Sequence, residues 1–255
     1  MTPHPQDTGT TWLRRYHPAP EAAEATVVCF PHAGGAATYY QPMALALSGS
    51  ADVLAVQYPG RQDRRHEPPL VDIAELADRA AEALLPRIDG PLVLFGHSMG
   101  AVIAFEVARR LEEGAGVSPE ALYVSGRRAP STFRIEDLHT RGDRALLGEI
   151  RGLSGTDSGV LDDEEIVAMI LPALRADYRA IETYRSAPGA RVDCPVVALT
   201  GDRDPKATVA EVAAWREHTT GTFELKVLPG DHFYLTADPG AVVAEIARRL
   251  PARTG

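Results

Sequence analysis

This 255-residue chain has only two cysteines, Cys29 and Cys194. Each lies in an apolar, strand-like stretch, a setting that suits buried free thiols and argues against a disulfide framework or a cysteine metal site. Lysine is almost missing: Lys206 and Lys226 are the only two. With 35 acidic residues against 26 basic ones the formal net charge is −9, so the concentrated basic face that phosphate binding needs is not evident and nucleic acid is not an expected partner. No apolar run approaches the ~20 residues that cross a bilayer. Residues 1–11 are polar, include Pro3 and Pro5, and lack the basic-then-apolar order of a signal peptide. These absences lead to the expectation of a cytoplasmic protein without membrane contact, whose first eleven residues are disordered.

The chain does contain a regular alternation of short β-branched runs and amphipathic segments. Strands are expected near 26–30, 52–57, 92–95, 121–125, 195–200 and 223–228, with an edge strand near Tyr16. Helices are expected near 39–47, 72–85, 101–112, 208–216 and 241–250. That order predicts one α/β domain over residues 1–255, with a mostly parallel central sheet flanked by helices. The rhythm breaks over 131–191, where no strand pattern appears and an inserted helical lid is expected. Its best helix starts near Asp162-Asp163-Glu164-Glu165, whose carboxylates suit a helix N-terminus. Ile166, Met169, Ile170 and Leu174 give it an apolar stripe, and Pro172 should kink or split it.

Gly96-His97-Ser98-Met99-Gly100 joins the apolar run Leu92-Val93-Leu94-Phe95 to a helical pattern starting at Ala101. A strand, a five-residue corner and a helix form a nucleophile elbow: the serine is held in strained backbone that lifts its hydroxyl clear of the sheet, and the glycines omit β-carbons that would collide. A serine hydroxyl is a poor nucleophile near neutral pH, so Ser98 needs a neutral imidazole as base and a carboxylate to orient it. Two later strand ends offer them. Pro229-Gly230-Asp231-His232-Phe233 supplies His232, and Thr200-Gly201-Asp202-Arg203-Asp204-Pro205 supplies either Asp202 or Asp204. Asp204 stands farther from the strand, although it could equally be a helix N-cap before Pro205. The backbone N–H groups of Ala33, in Phe30-Pro31-His32-Ala33-Gly34-Gly35, and of Met99 are the expected oxyanion donors. His97 is expected to shape the elbow. His32, His97 and His232 lack a recognisable zinc-ligand spacing, and acyl transfer by serine needs no metal or redox cofactor.

Together these segments, with Tyr58-Pro59-Gly60-Arg61, resemble the stand-alone type II thioesterases of polyketide and nonribosomal peptide assembly lines, from about Phe30 to His232. The resemblance implies an α/β-hydrolase fold with a mobile helical lid. It also implies hydrolysis of acyl thioesters from the phosphopantetheine arm of acyl or peptidyl carrier proteins, clearing stalled or misprimed units. Residue by residue it assigns the nucleophile to Ser98, the aspartate to Asp204, the base to His232 and the oxyanion amides to Ala33 and Met99. The stripe on the 131–191 helix would then either pack on the body of the protein or line an acyl channel. Arg61, Arg64 and Arg65 could meet an acidic carrier protein, but are read as solvated surface arginines. A chain-releasing or cyclising thioesterase, a small-molecule carboxylesterase and a noncatalytic carrier-binding protein are the alternatives. Met1 at the start and the lack of an Asp-Ser-Leu carrier motif favour a separate editing enzyme.

Overall fold

In Val27-Val28-Cys29-Phe30 successive side chains point to opposite faces: Val28 and Phe30 join one buried apolar cluster, Val27 and Cys29 the other. The same division runs through Leu94 and Phe95, Val124 and Tyr123, Ala198 and Val197. A sheet that is apolar on both faces must be covered on both. The computed structural model, which describes residues 11–21, 23, 25–153 and 162–250, shows how.

Among the described residues seven strands, β1 (Leu13–Arg15), β2 (Ala25–Phe30), β3 (Ala51–Val56), β4 (Leu92–His97), β5 (Ala121–Ser125), β6 (Val196–Gly201) and β7 (Phe223–Leu228), form one sheet in the order β1-β3-β2-β4-β5-β6-β7. Only β1 runs antiparallel, pairing Leu13 with Val56. Among the described residues eight α-helices accompany it: α1 (Gln41–Leu47), α2 (Ile73–Leu84), α3 (Met99–Ala115), α4 (Asp143–Gly152), α5 (Glu164–Thr183), α6 (Val209–Ala213), α7 (Tyr234–Ala237) and α8 (Pro239–Ala247). The apolar faces of α2 and α3 cover one side of the sheet; α1 and α8 cover the other. Because β2 to β7 are parallel, their carboxyl ends meet at one edge, where open α/β sheets bind ligands.

Local sequence explains the helix starts. Asp72 caps α2 by accepting from the Glu75 N–H, and Thr208 with Glu211 forms a reciprocal capping box on α6. Asp163 caps α5 by accepting from the N–H groups of Glu165 and Ile166. Helix α5 runs on through Pro172 as one element, so of the kink or split expected there the split does not occur. Helix α4 has little sequence signal, because Gly148 and Gly152 interrupt its pattern, yet its Leu146 is fully buried. Of the start expected to be disordered, residues 1–10 lie outside the described residues. The expected free thiols are indeed both buried. Among the described residues no helix is long and apolar enough to cross a membrane.

Candidate active site

Strand β4 reaches His97 and helix α3 begins at Met99, leaving Ser98 alone between them at φ +54. That left-handed conformation is costly for a residue with a side chain and persists only where the surroundings enforce it. Here the enforcement is steric. A β-carbon on Gly96 would stand 2.1 Å from the Gly100 carbonyl oxygen, and one on Gly100 would stand 2.0 Å from the Phe30 carbonyl oxygen. Only glycine lets strand, helix and the β2 end close up this far.

The loops after β6 and β7 bring the partners. His232 Nε2 lies 3.1 Å from Ser98 Oγ, while His232 Nδ1 is 2.9 Å and 3.0 Å from the two carboxylate oxygens of Asp204. His232 and Asp204 are buried, at 3% and 6% exposure. Asp204 Oδ1 also accepts from the backbone N–H of Lys206 at 2.8 Å, which holds the carboxylate toward the imidazole. Asp202, the competing candidate, instead accepts from the Gly230 N–H at 2.7 Å and so ties the two loops together. This arrangement can move a proton from a serine hydroxyl to an imidazole whose positive charge a buried carboxylate offsets.

His97 lies beneath His232, its ring centre 5.0 Å away. Its Nδ1 is 2.9 Å from Ser125 Oγ, which is 2.6 Å from the Tyr234 hydroxyl. Burial holds His97 well below the ordinary histidine range, and burial pushes His32 down to about 3. Both are therefore neutral near pH 7, and neither places a positive charge beside His232.

Met99 occupies the first position of α3, where a backbone N–H has no intrahelical partner and the helix dipole favours negative charge. Ala33 sits in the loop after β2, beside Gly34 at φ +77. A small cavity of about 60 Å³ opens next to it, lined by Ala33, Ile150, Ile170, Leu174, Tyr178 and Phe233 among others. Leu174 and Ile170 thus bring the α5 stripe to this cavity, whereas Met169 points to solvent at 55% exposure. A larger apolar cavity, about 270 Å³ behind Tyr39 between α1 and α8, has neither Ser98 nor His232 in its wall.

Two arginines depart from their expected surface role. Arg61 is only 8% exposed and pairs with both oxygens of the fully buried Asp177. Arg64 is also buried, donating to the Gln57 carbonyl at 2.7 Å and lying over the Trp12 ring. Arg65 alone stays exposed. Asp177 was missed in the sequence, although a signal existed: it shares the inward face of α5 with Leu174 and Ile181, and a carboxylate in such a position needs a partner.

Residues 25–252 match the family model described as a thioesterase domain. The chain is 54% identical over 244 residues to a protein of Streptomyces griseus named as a probable cadicidin biosynthesis thioesterase, covering 96% of this chain and 67% of that one. It is 51% identical over 245 residues to thioesterase PikA5 of Streptomyces venezuelae, covering 96% and 87%. Among solved structures, the type II thioesterase BorB from the borrelidin biosynthetic cluster superposes with a TM-score of 0.88 at 53% identity, over 94% of this chain and 98% of that one.

Proposed function

This chain belongs to the thioesterase family and has its α/β-hydrolase fold, and from that premise we propose that it hydrolyses acyl thioesters on the phosphopantetheine arm of acyl or peptidyl carrier proteins, clearing stalled or misprimed units from a polyketide or nonribosomal peptide assembly line. The editing role is supported by likeness to BorB, a type II thioesterase from the borrelidin biosynthetic cluster. The chemistry is supported above all by one observation, the 3.1 Å approach of His232 Nε2 to Ser98 Oγ.

In the proposed reaction Ser98 Oγ bonds to the thioester carbon as its proton passes to His232 Nε2. The carbonyl oxygen becomes an oxyanion facing the N–H groups of Ala33 and Met99. Collapse breaks the C–S bond, and His232 returns its proton to the departing pantetheine sulfur. Water then attacks the acyl carbon while giving a proton to His232. The bond to Ser98 breaks, the acid departs and the serine regains its proton. Asp204 holds the imidazole in the required tautomer throughout and offsets its transient charge.

The test is turnover of acyl groups loaded on one carrier domain, against acyl-pantetheine and simple oxygen esters. Ser98→Ala should abolish turnover with the fold retained; unchanged turnover would remove Ser98 as nucleophile. Equal kcat/KM on thioesters and plain oxygen esters would point to a carboxylesterase, and cyclic product from a linear substrate to a chain-releasing enzyme.

A further inference from the structure

The loop that carries Ala33 is held from both sides by a single buried ion pair. Asp177 Oδ2 accepts from the Gly34 N–H at 2.7 Å and from Arg61 Nη1 at 2.7 Å, while Asp177 Oδ1 accepts from Arg61 Nη2 at 2.8 Å. Arg61 Nη1 also donates to the Gly35 carbonyl at 3.0 Å. The pair therefore grips the backbone on both sides of the Gly34–Gly35 peptide, one residue after Ala33. Asp177 belongs to α5, and one turn earlier on that helix Leu174 covers Gly34 so closely that a β-carbon there would stand 2.8 Å from Leu174 Cδ1. Arg61 is itself held in place: its Nε faces the Pro59 carbonyl at 3.4 Å, and its guanidinium lies 5.1 Å from the centre of the Tyr58 ring. Gly60, at φ +85, allows the turn that aims it inward.

Resting on the reading of Ala33 as an oxyanion donor, we propose that Arg61 and Asp177 are positioning residues that aim the Ala33 amide at the reacting carbonyl, so that the oxyanion site is complete only while α5 is seated on the loop. An Arg–carboxylate fork fits this role because it defines direction as well as distance. An apolar contact would fill the same space and leave the backbone free to rotate. The inward charge on α5 and the Tyr58-Pro59-Gly60-Arg61 turn then have one shared purpose.

The test compares Arg61→Lys, Asp177→Asn and the apolar pair Arg61→Met/Asp177→Leu with the wild type. Each is measured for Tm, for kcat and KM on one acyl-carrier substrate, and for affinity toward an acyl trifluoromethyl ketone, whose serine adduct carries an oxyanion. The apolar pair is expected to keep its Tm, since such replacements of buried ion pairs are often neutral or stabilising. Its kcat should fall about 10²-fold, as when an oxyanion donor is lost, with KM nearly unchanged and ketone affinity reduced in parallel. Arg61→Lys keeps the charge and should fold, yet lose about 10-fold in kcat because an ammonium cannot reproduce the fork. Wild-type kcat and ketone affinity in folded Arg61→Lys and the apolar pair would overturn the proposal, as would a rise in KM alone. Should the apolar pair fail to fold, Arg61→Lys and Asp177→Asn decide by the same criteria. Ser98→Ala, run alongside, separates the two readings: if it still turns over, the acyl-serine mechanism has failed rather than the positioning of its loop.

Discussion

Gly201 and Asp231 are in such close backbone contact that a β-carbon on Gly201 would stand 2.3 Å from the Asp231 carbonyl oxygen. Gly201 ends β6, and Asp231 immediately precedes His232, so this contact sets the spacing between the loop of Asp204 and the loop of His232. Backbone bonds reinforce it: Asp202 N–H donates to the Leu228 carbonyl and Arg203 N–H to the Gly230 carbonyl, each at 2.9 Å.

Gly201→Ala should therefore force the two loops apart and weaken the Asp204–His232 contact. A displacement near 1 Å at a catalytic group can cost about 10²-fold in rate. The expected result is a kcat loss of that order in a protein that still folds, measured by carrier deacylation beside circular dichroism. Wild-type kcat in Gly201→Ala would show that the contact does not govern the site.

His97 gives a prediction about acid stability. Its folded-state pKa lies below the ordinary 6.5 because burial disfavours the charged ring, so the unfolded chain takes up this proton first as pH falls. The native state is consequently favoured above pH 6.5 and loses that advantage as the pH drops toward the depressed folded value. His32, pushed down to about 3, acts in the same direction. Denaturant titrations from pH 7 to pH 5 should show falling stability. His97→Gln should reduce the slope by up to about 1.4 kcal/mol per pH unit, one proton's worth. Equal slopes in the two proteins would mean that His97 does not supply this dependence.

The cavity beside Ala33 predicts acyl preference. At about 60 Å³ it is well below the roughly 150 Å³ that accommodates a benzene in an engineered protein cavity, so short acyl groups should be preferred. Leu174→Ala should enlarge it and raise the kcat/KM ratio of hexanoyl to propionyl carrier, at a stability cost of about 2–5 kcal/mol. An unchanged ratio would place the acyl group elsewhere, the 270 Å³ space behind Tyr39 being the next candidate.

The sheet and the positions of Ser98, Asp204 and His232 were legible because each depends on local pattern: apolar strands of the right length, a glycine-flanked serine, and turn residues directly after strands. β5 and β7 were read to the residue. Boundaries around Ser98 were less visible, since the glycines that permit the tight elbow look like a loop that separates strand from helix. The burial of Arg61 was invisible for a different reason. Its partner Asp177 lies 116 residues away, and nothing local distinguishes an arginine facing water from one facing a carboxylate on a distant helix. By contrast, the sequence itself favours Asp204 over Asp202, by its distance from the strand and by the family resemblance; the fold adds that Asp204 meets His232 Nδ1 while Asp202 accepts from the Gly230 N–H.

Much of the wall of the cavity beside Ala33 comes from one stretch of polypeptide, since Ile150, Ile170, Leu174 and Tyr178 all belong to the excursion between β5 and β6, while Ala33 and Phe233 come from the loops beside Ser98 and His232. An engineer could graft that excursion from another member of the family to retarget the enzyme to a new cargo. The graft would have to bring its own carboxylate to the place of Asp177, or the host arginine at position 61 would be stranded in the interior without a counter-charge.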